Sequence, residues 1–144
     1  MKKLYPGHAK QFMHAFWGVG QMSFVKHAIF VGADAPLLED YEALSDYILD
    51  RVMVENILIS EGVCDALDHS SDSFAYGGKL GVDCTEDNVN FPKKEIISDD
   101  ELLIKMREIE PSIVSIKQYK TYTKTPICMI AIDKKSKIKD IYEN

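Results

Sequence analysis

The stretch Leu67-Asp68-His69-Ser70-Ser71-Asp72-Ser73-Phe74-Ala75-Tyr76-Gly77-Gly78-Lys79-Leu80-Gly81-Val82-Asp83-Cys84-Thr85 gathers most of the groups that could do chemistry. Its glycines let a backbone approach a ligand or a neighbouring chain closely, and Lys79 with the flanking aromatics would add charge and shape. The same composition fits a structural loop whose aspartates and serines satisfy backbone amides. Asp65, Asp68, His69, Asp72 and Asp83 offer oxygen and imidazole donors, but they follow no recognised ligand spacing. They read as a solvated acidic loop with no metal residue assigned; a small metal-dependent enzyme is the lesser alternative.

Other constellations are weaker. Gly77-Gly78-Lys79-Leu80-Gly81 matches neither of the two glycine-rich phosphate motifs, which excludes a nucleotide fold. His8, His14 and His27 stand apart, and no Ser-His-Asp or Cys-His order supports a self-contained hydrolase. Lys26 lies between Phe24 and Phe30 at the start of an apolar run, where an ammonium without a partner is costly to bury. It either snorkels to solvent or meets an anion. Cys64, Cys84 and Cys128 form no Cys-x-x-Cys pair, so all three are expected to be small buried thiols.

The elements that must position these groups can be read from spacing. Ala9, Phe12, Met13, Phe16 and Trp17 recur at helical intervals after the Pro6-Gly7 turn. Phe24 to Val31 reads as a buried strand ended by Gly32, followed by a helix carrying Leu37, Leu38, Tyr41, Leu44, Ile48 and Val52 on one face, with Asp34 and Pro36 at its start. Glu55 to Ser60 closes a strand-helix-strand unit of the kind that makes parallel sheets. Glu61 to Pro92 then reads as a long glycine-bearing loop. Ser98-Asp99-Asp100-Glu101 matches a capping box for a helix that ends at Pro111, and strand-like runs follow at Ile113 to Tyr119 and Pro126 to Asp133. The expectation is one α/β domain over residues 1–144, with a mostly parallel or mixed sheet flanked by helices.

Composition agrees with a soluble fold. Of 144 residues, 46% are hydrophobic and 28% charged, enough apolar side chain for a core. A net charge of -6 with no basic cluster argues against nucleic acid as a partner. No apolar run approaches the roughly 20 residues needed to span a bilayer, and the start resembles no signal peptide, so the expected location is cytoplasmic.

Tyr5-Pro6-Gly7-His8-Ala9-Lys10, Trp17 with Gln21, Phe24-Val25-Lys26, Leu67-Asp68 and Gly78-Lys79-Leu80-Gly81-Val82-Asp83-Cys84-Thr85 follow one another in an order and spacing that, over residues 1–91, resemble the successive signatures of UbiD-type decarboxylases. The resemblance implies a family that removes carboxylate from aromatic or unsaturated acids, typically in ubiquinone or menaquinone biosynthesis, using prenylated flavin mononucleotide (prenylated FMN) with a divalent metal and often potassium. In that family the acid-base carboxylates, metal ligands and most flavin contacts precede the carboxy-terminal domain, and none of their motifs appears in this chain. No catalytic residue is therefore assigned. The resemblance gives Lys26 the cofactor phosphate as partner and makes Phe74 and Tyr76 candidates for lining the substrate pocket.

Gly32-Ala33-Asp34-Ala35-Pro36 replaces the family's acidic run, Val25 stands where threonine is common, and Asp83-Cys84-Thr85 replaces Asp-Ala-Thr. Residues 92–144 resemble the familiar quinone enzyme less well and suggest a longer menaquinone-pathway branch. The chain starts where the family would have just finished a strand, so it is expected to be an excised domain: a wall of the cleft and an oligomer interface, inactive alone. Its expected partners are the amino-terminal flavin-binding portion of the same enzyme and further copies of itself, and the chain alone is expected to hold no cofactor. The competing reading is a free-standing, non-catalytic oligomerisation or interaction module, with Phe16, Trp17 and Tyr41 as interface aromatics.

Overall fold

The computed structural model describes residues 1–71, 73–87, 91 and 95–134. The chain divides into two compact units, Met1–Phe91 and Pro92–Asn144, each with its own sheet. The fold is α/β.

In the first unit, helix α1 (His8–Trp17) starts after Gly7, whose φ of 82° is a left-handed conformation that glycine adopts without strain. It buries Ala9 and Met13 completely. A 3-10 turn at Gly20–Phe24 leads into β1 (His27–Val31). Helix α2 (Tyr41–Leu49) is capped by Asp40, whose carboxylate accepts from the Ala43 N–H at 3.1 Å. Strands β2 (Ile57–Val63) and β3 (Tyr76–Cys84) complete the sheet in the order β1-β3-β2. The central strand β3 runs parallel to β1, with His27 opposite Leu80, and antiparallel to β2, with Ile57 opposite Val82.

Three sequence expectations change here. The sheet is mixed, one of the two forms expected, but the strand-helix-strand unit does not close on itself: β1 and β2 flank α2 in sequence and are not neighbours, because β3 inserts between them. Helix α2 begins at Tyr41, not near Asp34, and Leu37, Leu38 and Tyr41 are all exposed. Asp34 instead accepts from the Tyr47 hydroxyl at 3.0 Å, and that oxygen accepts from the Gly32 N–H at 3.2 Å.

The third correction concerns the expected long glycine-bearing loop, which contains the central strand. A Cβ at Gly81 would lie 2.5 Å from Met13 Sδ and 3.1 Å from Trp17 Cη2, so this glycine brings α1 down onto β3. One at Gly77 would run into Ser71 Oγ and sit 3.1 Å from Cys64 Sγ. Glycine marks close approach within a strand here, not a turn.

In the second unit, helix α3 (Asp99–Ile109) starts at Ser98, whose hydroxyl accepts from the Glu101 N–H at 3.2 Å. Glu101 itself turns to Lys105 at 2.9 Å, so the capping box is half realised. Strands β4 (Ile113–Tyr119) and β5 (Ile127–Ile132) form an antiparallel pair, joined through a turn with Lys120 at φ 52°. Ile113 and Ile116 are buried, while every residue of β5 is exposed. Cys64 and Cys84 are buried as expected; Cys128, on the exposed β5, is not.

Candidate functional site

A polar pocket of about 270 Å³ lies beside the start of β1 and is lined by Lys26, Glu61, Ser70, Ser71, Ser73, Tyr76, Gly77 and Gly78. Lys26 is placed by the sheet: its carbonyl accepts from the Leu80 N–H at 2.8 Å, extending the β1–β3 ladder by one residue. Its ammonium spends three protons locally, on Asp68 Oδ2 at 2.9 Å, Ser70 Oγ at 2.7 Å and Ser71 Oγ at 3.2 Å. Asp68 Oδ1 in turn accepts from the Ser70 hydroxyl at 2.6 Å and the Ser70 N–H at 2.9 Å. The Ser70 hydroxyl, then the Lys26 ammonium, hold the Asp68 carboxyl far below the usual carboxylate range. The Asp68 carboxylate therefore stays ionised at neutral pH.

The opposite wall is acidic. Tyr76 donates from its hydroxyl to Glu61 Oε2 at 3.0 Å across β2 and β3, and that carboxylate raises the Tyr76 hydroxyl above its ordinary value. Phe74 sits at the tip of the turn before β3, is 85% exposed, and does not line the pocket. Of the three site residues read from sequence, Lys26 and Tyr76 come together and Phe74 stays outside. Ser70, Ser71 and Glu61 had not been singled out. The hydroxyl pair directly after Leu67-Asp68 was the available signal for the serines, whereas Glu61 had none, because its role depends on the β2–β3 register.

Lys79, read from the sequence either as a source of charge for a ligand or as part of a structural loop, takes a structural place. It is 3% exposed, and its ammonium donates to the carbonyls of Ser23 at 2.6 Å, Val25 at 3.2 Å and Val63 at 2.6 Å. It ties the segment before Lys26 to the end of β2.

The acidic residues do not assemble. Asp83 is nearly buried; burial pushes its carboxyl up, but hydrogen bonds from Thr85 at 2.5 and 3.0 Å and the Lys3 ammonium at 3.2 Å outweigh it and leave it below the usual range. Asp72 lies outside the described residues. Among the described residues no three His, Cys, Asp or Glu side chains are placed to hold a metal ion. Phe16 and Trp17 are half-buried against the sheet unit, and Tyr41 is exposed.

One ammonium and two hydroxyls can hold one edge of a phosphate, with a phosphate oxygen replacing Asp68 Oδ2. Glu61 across the pocket repels a second anionic group. The residues present thus fit a single phosphate contact and do not enclose a flavin ring.

Residues 1–84 match the family model of the 3-octaprenyl-4-hydroxybenzoate carboxy-lyase C-terminal domain. An uncharacterized protein of Helicobacter pylori (strain J99) is 55% identical over 133 residues, which is 92% of this chain and 21% of that protein. One from Aquifex aeolicus is 33% identical over 85 residues, 59% of this chain and 18% of its own length. The chain thus spans about a fifth of the length of the curated relatives it matches. Among solved structures, a UbiD-class enzyme of Pelotomaculum thermopropionicum in complex with FMN aligns with TM-score 0.52 at 22% identity, over 74% of this chain and 24% of that one. The vanillic acid decarboxylase of Sedimentibacter hydroxybenzoicus in open form aligns with TM-score 0.55 at 19% identity, over 76% of this chain and 25% of that one. No helix among the described residues is long and apolar enough to cross a membrane. By the extent of the family-model match, the chain belongs to the UbiD family and carries its C-terminal domain.

Proposed function

We propose that this chain completes the substrate cleft of a prenylated-FMN-dependent decarboxylase of quinone biosynthesis, working in the cytoplasm within a homo-oligomer. The observation that carries this reading is the Lys26 ammonium, held with Ser70 and Ser71 at the edge of an open polar pocket and countered by a replaceable carboxylate. FMN in a UbiD-class neighbour supports a flavin as the group it meets.

Prenylated flavin, when bound, would supply the electrophile and the electron sink that takes up the electron pair left behind when carbon dioxide departs. Lys26 exchanges Asp68 Oδ2 for a phosphate oxygen and gains a charge-assisted bond. The hydroxyls of Ser70 and Ser71 turn from their present partners toward the same phosphate. Tyr76, fixed by Glu61, lines the cleft beside them, and Phe74 projects from the turn toward the amino-terminal flavin-binding portion. The acid-base groups and the ligands of any divalent metal belong to that portion, so one phosphate contact leaves this chain without turnover of its own.

Release of carbon dioxide from an aromatic acid, followed for the purified chain and for the chain mixed with the amino-terminal portion and modified flavin, tests this. Turnover is expected in the mixture alone; turnover by the unaided chain would overturn the reading.

A further inference from the structure

The Lys26 pocket is assembled from two arms of the chain. One is the segment 23–25, which leads into Lys26; the other is the turn after β2, which carries Asp68, Ser70 and Ser71. Gly77 and Gly78 of β3 complete the lining. The next residue along β3 is Lys79, and it is bonded to both arms. Its ammonium donates to the carbonyls of Ser23 and Val25, just before Lys26, and to that of Val63, the last residue of β2 before the turn.

An ammonium has three protons to give, and here all three go to main chain. Burying that charge is unfavourable, and an apolar side chain would fill the same space without the penalty. What the charge adds is a fixed distance between the two arms, since β1 and β2 do not pair with each other. The bonds from Lys26 itself to Asp68, Ser70 and Ser71 cannot supply this, because those side chains turn away when a ligand arrives.

We propose that Lys79 is a positioning residue for the phosphate site: it holds Lys26 and the Ser70–Ser71 turn at the spacing where ammonium and hydroxyls reach one phosphate together. This deepens the reading of Lys26 as a phosphate contact and rests on it. Lys26 Nζ stands 2.7 Å from Ser70 Oγ and 3.2 Å from Ser71 Oγ, close enough for a single phosphate to meet all three. Hydrogen bonds weaken steeply with length and misalignment, so a drift of about 1 Å between the arms would leave the phosphate to one arm alone.

The test titrates the chain, reconstituted with its amino-terminal portion, with FMN and with riboflavin, which carries the same ring without the phosphate. In Lys79→Gln, whose amide serves fewer carbonyls, the preference for FMN over riboflavin is expected to fall at least roughly fivefold, with riboflavin affinity per folded molecule kept. Met13→Ala, which hollows the core beside Gly81, is expected to lose stability and keep the native preference. A preference that survives in Lys79→Gln, or falls equally in Met13→Ala, overturns the inference and leaves the Lys26 reading standing. A native protein without any preference overturns both. If Lys79→Gln does not fold, exchange of the buried Lys79 ammonium protons in the native protein decides. Coupling is reciprocal, so FMN is expected to slow that exchange at least roughly threefold more than riboflavin at equal occupancy, and equal rates overturn the inference.

Discussion

Lys26 and Lys79 lie close together at one end of the three-stranded sheet, yet their surroundings differ in kind. Lys79 is sealed and bonded to three main-chain carbonyls that cannot move without the strands that carry them. Lys26 keeps about a quarter of its side chain exposed and is bonded to two hydroxyls and a carboxylate, all able to rotate away. A cation whose partners are backbone is a structural clip. A cation at a pocket whose partners are side chains can exchange them for a ligand, and the proposal that Lys26 meets a phosphate rests on that difference.

Lys79→Met breaks the comparison most severely. It leaves three carbonyls without a donor in a site closed to water, and is expected to cost about 3–5 kcal/mol in a denaturant titration. Lys26→Met is expected to move the same midpoint less, since its half-buried pair with Asp68 is partly open to water and its side-chain partners can turn to solvent. Equal losses would erase the distinction.

Gly77→Ala acts between the two sites. The new methyl displaces Ser71, one of the hydroxyls on Lys26, and presses on buried Cys64, at a cost of about 2 kcal/mol. Thermal unfolding measures the loss, and the Lys26 side-chain resonances should shift with it.

The sealed half of the sheet also predicts an alkaline limb. Burial, and then the Asp83 charge, push the Cys84 thiol up to about 11. An unfolded chain releases that proton near pH 8.5, so between there and about 11 the unfolded state binds fewer protons and stability falls as pH rises. The expected decline is roughly 3 kcal/mol across the window, and Cys84→Ala should flatten it. The Lys3–Asp83 pair works in a different range. Asp83, lowered, contributes above about pH 4 and loses that contribution as pH falls through its folded value; Lys3, raised, contributes below about pH 10 and loses it as pH rises.

The smallest effect is expected for Asp68→Asn. Removing the competing carboxylate should tighten binding of a phosphate-bearing cofactor to the reconstituted protein by roughly fivefold, read by fluorescence titration.

Local signals made much of this architecture legible. Ser98 and Glu101 marked the start of α3, and the runs at His27, Ile113 and Ile127 marked β1, β4 and β5. What failed was β3, because Gly77, Gly78 and Gly81 interrupt the side-chain pattern of a strand. Gly81 answers to Met13 and Trp17, which are distant in sequence, and Gly77 to Ser71 and Cys64, which reach it only because the turn after β2 folds back. The same limit hid Lys79, whose carbonyl partners belong to residues from Ser23 to Val63. Lys26 was legible because its charge opens an apolar run, but its serine partners depended on how the turn after β2 folds back.

The most direct test compares modified flavin with and without its phosphate, binding to the chain reconstituted with its amino-terminal portion. Lys26→Ala is expected to weaken the phosphorylated form at least roughly tenfold and leave the dephosphorylated form unchanged. Equal affinity for the phosphorylated form with and without the Lys26 ammonium, or an equal loss for both forms, would contradict the account.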